Sequence, residues 1–103
     1  MNPTLSPLFA RRSIRKYQDK SVPASVIQDV LEAAMAAPSA NAKDPWEIIV
    51  VQKPDTLAAI ASGLPYGKML KDAPVGFVIC GDQQRVNGPH LSYLLQDCSA
   101  CIE

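Results

Sequence analysis

Two short apolar runs, Trp46–Val51 and Val75–Cys80, constrain this chain more than any other feature. Each is bounded by chain breakers: Pro45 and Lys53-Pro54 flank the first, Pro74 and Gly81-Asp82 the second. Runs this short, rich in β-branched residues and apolar on both faces, predict strands covered on both sides. Helices must supply that cover, and only 103 residues are available to do it. That length suits one domain, residues 1–103, and is too short for two. A chain of this size removes only about 60–68% of its unfolded surface from water. With 48% hydrophobic residues, apolar surface is left over to meet a second chain or further polypeptide.

The helices are legible from periodicity. Pro23 suits a first helical position, and Ile27, Val30, Leu31 and Ala34 follow at i, i+3, i+4 and i+7, with Gln28, Asp29 and Glu32 on the other face. This predicts a helix over Pro23–Ala37, ended by Pro38. Ser39 to Pro45 reads as a loop. Asp55 is placed to cap a helix over Thr56–Ser62 that Gly63 closes, and Tyr66–Asp72 predicts another turn or two. Asn87-Gly88-Pro89 predicts a turn. A last helix starts near His90 or Leu91, with Leu91, Leu94, Leu95 and Cys98 as its inner stripe, and still runs at Ile102-Glu103. Pro3 and Pro7 are both permissible in a first helical turn. The order helix, helix, strand, helix, strand, helix predicts a layered α/β or α+β domain.

Composition excludes several function classes. Ten basic residues balance ten acidic ones, which argues against a nucleic-acid partner. The longest stretch without a charge, Thr56–Gly67, has 12 residues, short of the roughly 20 a membrane span needs. Arg11-Arg12 interrupt the N-terminus before any apolar run develops, so no signal peptide is expected. Three cysteines, an odd count, fit a reducing compartment. The expectation is a cytoplasmic protein.

Few residues stand out for chemistry. Arg11, Arg12, Ser13 and Arg15, with Lys16, suit a phosphate: guanidinium groups give forked charge-assisted bonds and serine a short neutral one. The same residues also make a solvated basic turn. Only Tyr17 lies nearby for base stacking. Cys98 and Cys101 form a lone C-x-x-C with no redox or zinc context, so core packing is expected, as for Cys80. His90 reads as a surface side chain in a turn, Trp46 as core, and Lys68 as an exposed helical lysine. No nucleophile elbow, phosphate loop or paired carboxylate is present.

Taken together, four segments resemble the nitroreductase family of FMN-dependent oxidoreductases. They are Arg11-Arg12-Ser13-Ile14-Arg15-Lys16-Tyr17; Ala37-Pro38-Ser39-Ala40-Asn41 with Pro45-Trp46; Lys68-Met69-Leu70-Lys71-Asp72-Ala73-Pro74; and Asp97-Cys98-Ser99-Ala100. The resemblance implies a three-layer α/β/α fold of the α+β class, incomplete at the C-terminus and cut at the start of a central helix. It implies that Arg11, Arg12, Ser13 and Arg15 hold the FMN phosphate and ribityl chain. Pro38, Ser39, Ala40 and Asn41 would contact the flavin ring from a partner subunit, making a homodimer with FMN at the interface. Lys68 would reach the flavin N1/O2 edge, where a cation stabilises charge arriving with hydride at N5. The implied activity is hydride transfer from NADH or NADPH to a nitro, quinone or enone acceptor, with no protein acid, base or metal nominated. Dehalogenation, flavin fragmentation and a non-catalytic FMN-binding remnant needing a partner chain are the alternatives. Two departures from the family pattern are Ala42, where Asn is usual, and Asp44, where Gln is usual.

Overall fold

Trp46–Val51 (β1) and Gly76–Gly81 (β2) pair antiparallel, in register from Trp46 opposite Gly81 to Val51 opposite Gly76. The computed structural model describes residues 2–85 and 91–103, and of Leu91 only its backbone. Its longer helices are α1 (Ser6–Ala10), α2 (Ala24–Met35), α3 (Pro54–Ser62) and α4 (Leu91–Ile102). Short 3-10 turns cover Pro3–Leu5, Ala40–Ala42, Lys68–Asp72 and Gln83–Arg85. The Asn87-Gly88-Pro89 turn and His90 lie outside the described residues.

Side chains alternate across a strand, so the register assigns two faces. Ile48, Phe77 and Ile79 share one of them and line a cavity of about 240 Å³ with Val30, Ala34 and Cys101. That face belongs to α2 and α4. Gly81 lies against Leu94 of α4, so closely that a Cβ there would sit 2.8 Å from a Leu94 methyl. On the opposite face α3 covers the end nearest Val51, with Leu57 and Leu70 pressed against Gly76. Leu57 is 1% exposed, whereas Ile49 farther along is 52% exposed. Helices therefore flank the sheet on both sides, in the expected three-layer order. The expectation that both strand faces are covered fails at Glu47 and Ile49, because α3 is only nine residues long and reaches one end.

Local chemistry moved several boundaries by a residue or two. Pro23 is the cap of α2, with extended backbone (φ −59°, ψ 147°). Pro54, not Thr56, opens α3, since a first helical residue needs no N–H. Asp55 falls in the first turn, where its charge favours the positive end of the helix. The expected inner stripe of α4 is also corrected. Leu94 and Cys101 are buried with Asp97 between them, while Leu95 is 72% exposed. Positions i, i+3 and i+7 face the sheet, and Leu95 falls off that line.

Residues 2–20 are exposed throughout, including Leu8, Phe9 and Ile14. This arm helps give an accessible surface of 7928 Å², against roughly 5,700 Å² for a folded monomer of this mass. The radius of gyration, 15.6 Å, likewise exceeds the roughly 13 Å of a compact chain this long.

Leu57 is the side chain that seals α3 to the sheet. Leu57→Ala is expected to lower the unfolding free energy by about 2–5 kcal/mol, measured by urea titration. A loss under about 1 kcal/mol would show that α3 does not hold the sheet.

Candidate functional site

The basic segment leaves α1 at Arg11, whose backbone turns extended (φ −55°, ψ 135°). Residues 11–18 form neither helix nor strand. Arg12 folds back, its Nη1 donating to the carbonyl oxygens of Phe9 (3.0 Å) and Arg11 (2.9 Å), and so closes the end of α1. Among the described residues, Arg11, Ser13 and Arg15 have no hydrogen-bond or ion-pair partner for their side chains. All three are exposed. Arg15 lines a groove of about 740 Å³ with Lys16, Lys20, Gln52, Lys71 and Pro74. The 38–41 loop and Lys68 do not line it.

The loop from Pro38 to Pro45 is held by polar contacts on three sides. Inside it, the Ser39 hydroxyl donates to Asp44 Oδ1 at 2.6 Å and accepts the Asp44 N–H at 2.9 Å. From α4, Asp97 Oδ1 accepts the Ala40 N–H at 3.0 Å. From the 3-10 turn after β2, Arg85 Nη1 donates to the Asp44 and Trp46 carbonyl oxygens, and its other groups pair with Glu47 and Asp82. Behind the loop, Trp46 is buried, its indole N–H donating to Met35 Sδ at 3.2 Å. Asn41, Ala42 and Asp44 all take positive φ, at 56°, 53° and 44°. Such backbone suits Asn and Asp better than Ala. The unusual Asp44 thus has a local role: its short carboxylate reaches Ser39 from a left-handed residue. The Ser39 hydroxyl and the Ala40 N–H are spent within the protein, whereas Asn41 presents an exposed side chain with no partner among the described residues.

Lys68 opens the 3-10 turn after α3, and its Nζ donates to the Ser62 carbonyl oxygen at 2.8 Å. An ammonium there satisfies a carbonyl that the end of α3 leaves open. Burial pushes the Cys98 thiol up from the ordinary thiol range, helped by the charge of Asp97 and by Cys80. Burial, then Cys98, does the same to Cys101. Raised thiols stay protonated and poorly nucleophilic at neutral pH, in keeping with packing. Among the described residues no group of three or more His, Cys, Asp or Glu could hold a metal ion. No described helix is long and apolar enough to cross a membrane.

The sequence profile of the nitroreductase family matches residues 8–65, which include the basic segment, α2, the 38–45 loop and β1. The chain belongs to the nitroreductase family. It is 45% identical over 95 residues to the "Putative NADH dehydrogenase/NAD(P)H nitroreductase" of Methanothermobacter thermautotrophicus, covering 92% of this chain and 49% of that one. A nitroreductase solved in complex with FMN, from Desulfovibrio desulfuricans, superimposes with a TM-score of 0.87 at 27% identity, over 99% of this chain and 59% of its own. A shorter match, 46% over 48 residues, joins 47% of the chain to 17% of iodotyrosine deiodinase 1 of Rattus norvegicus. The chain thus spans about half the length of this curated relative from Methanothermobacter thermautotrophicus.

Two residues that hold the 38–45 loop, Asp97 and Arg85, were missed by sequence reasoning. Asp97 carried a readable signal, since a carboxylate three residues after Leu94 and four before Cys101 lies on the apolar stripe and needs a partner there. Arg85 carried none, because its partners on β1 are set by strand pairing.

Proposed function

We propose that this chain forms the FMN-binding part of an NAD(P)H-dependent oxidoreductase. The observation that carries the proposal is the set of unpartnered donors on the basic segment. Arg11, Ser13 and Arg15 stand exposed on a segment that is neither helix nor strand, free to converge on a phosphate. Their chemistry fits that group: guanidinium forks match phosphate oxygens, and a hydroxyl adds a neutral bond. Arg12 supports the same site by fixing where the segment leaves α1. When bound, FMN supplies the hydride-accepting and hydride-donating chemistry between NADH or NADPH and an electron acceptor.

The remaining residues orient and tune. Pro38 and Asn41 offer an exposed ring and an exposed amide to the flavin ring, while Ser39 and Ala40 hold the loop's shape. Lys68 brings a cation toward the N1/O2 edge, where negative charge accumulates on reduction. The groove that Arg15 lines does not include the 38–41 loop, and the surplus apolar surface calls for cover. Both features support a homodimer in which the basic segment of one copy faces the 38–41 loop of the other. The acceptor we infer is a nitro, quinone or enone compound. Reductive dehalogenation is the second reading, supported by the deiodinase match. Anaerobic reduction by NADH, followed by reoxidation with a nitroaromatic, a quinone or a halotyrosine, separates the two.

Two variants test the site. Arg15→Ala is expected to cost about 1.5–3 kcal/mol of FMN binding, roughly a 10- to 150-fold rise in dissociation constant. Riboflavin, which lacks the phosphate, should be nearly indifferent to the change; equal losses for both would assign Arg15 to folding.

Lys68→Met keeps the aliphatic stem and removes the charge. It is expected to lower the bound flavin's midpoint potential by on the order of 30 mV, about 1.4 kcal/mol for a two-electron couple, while oxidised FMN binds almost as before. An unchanged potential would leave Lys68 with its Ser62 contact alone.

A further inference from the structure

Asp97 is the one charged residue buried among the described residues, at 7% exposure. It sits on α4 between Leu94 and Cys101, and the bond to the Ala40 N–H spans 57 positions of sequence. A carboxylate taken out of water must find donors. The donor it finds is a backbone amide, which points at Asp97 only while the loop keeps its present course. That course is costly by itself, because three non-glycine residues in succession or nearly so, Asn41, Ala42 and Asp44, carry positive φ. Backbone of this kind persists only where its surroundings over-determine it. The Ser39–Asp44 pair closes the loop on itself, and Arg85 grips its far end from an exposed position. The bond from Asp97 ties the loop to the packed helix layer.

We propose that Asp97 is a positioning residue. Its carboxylate fixes residues 38–41 on the course that leads into the left-handed Asn41 and Ala42 and meets the flavin ring, so the docking of α4 sets the ring end of the cofactor site. The proposal rests on the reading of that loop as the ring contact. It also assigns the Ala40 N–H to the protein and away from the flavin.

The test compares the parent with Asp97→Ala, which removes the acceptor, and Asp97→Asn, which keeps the shape and a neutral acceptor. Two readouts are taken: hydrogen exchange of the Ala40 amide, and the dissociation constants of FMN and riboflavin. Charge-assisted bonds are about twice as strong as neutral ones, so a graded series is expected. Asp97→Ala should speed exchange at Ala40 and weaken both flavins by about tenfold, with Asp97→Asn between it and the parent. The two flavins should lose affinity together, because the loop meets the ring and not the phosphate. Parent-like exchange and affinity in Asp97→Ala would overturn the proposal, as would a loss for FMN that spares riboflavin. If Asp97→Ala does not fold, Asp97→Asn carries the same test, a partial loss in both readouts supporting the proposal and parent-like values overturning it. A parent that binds neither flavin overturns the proposed function itself. A parent that binds both, with an Asp97→Ala variant that binds them equally well, overturns the positioning role alone.

Discussion

The structure depends on a shortage of cover for an apolar two-stranded sheet. β1 and β2 present hydrophobic side chains to both faces, and helices flank both, but the lengths do not match. Two 12-residue helices, α2 and α4, lie over one face. The nine-residue α3 reaches only one end of the other and leaves Ile49 open. Surface beyond the ordinary monomer value exceeds the roughly 800 Å² per partner of a standard protein interface. At about 25 cal/mol per Å² of apolar area, a few hundred Å² left open already matches the stability margin of an ordinary domain. The exposed arm over residues 2–20 belongs to the same account. Its apolar residues lie open, and among the described residues the Arg11 and Arg15 guanidinium groups have no partner.

Much of the fold was legible because short-range signals governed it. Prolines bracket β1 so tightly that its limits, Trp46–Val51, matched the expectation. The period of α2 was equally clear, although Pro23 capped the helix instead of entering it. Where sequence reading erred, a tertiary effect decided. Leu95 looks like a core residue by type, yet the sheet lies on the Leu94–Asp97–Cys101 line. The both-face burial of the strands assumed more helix than the chain devotes to the second face.

The site divides along the same line. Residue types alone left the basic segment between a phosphate site and a solvated basic turn, and the exposure of Arg11, Ser13 and Arg15 is compatible with both. That Arg12 turns back on α1 could not be read, because it depends on that helix ending at Ala10. The 38–45 loop contains no glycine, so nothing in its composition announced three left-handed residues. Its shape comes from Asp97 and Arg85, some 40 to 60 positions away. Residue reading left Lys68 an exposed helical lysine, only the family resemblance gave it a cofactor role, and the structure gives it a bond to the Ser62 carbonyl oxygen.

The central claim is that FMN is held between two copies, the basic segment of one facing the 38–41 loop of the other. Sedimentation equilibrium of residues 1–103 with FMN, followed at the flavin absorbance, tests it most directly. The account predicts that the bound flavin sediments with an assembly of at least twice 11.1 kDa. A cooperatively melting 11.1 kDa monomer carrying one FMN would contradict both the shared site and the shortage of cover.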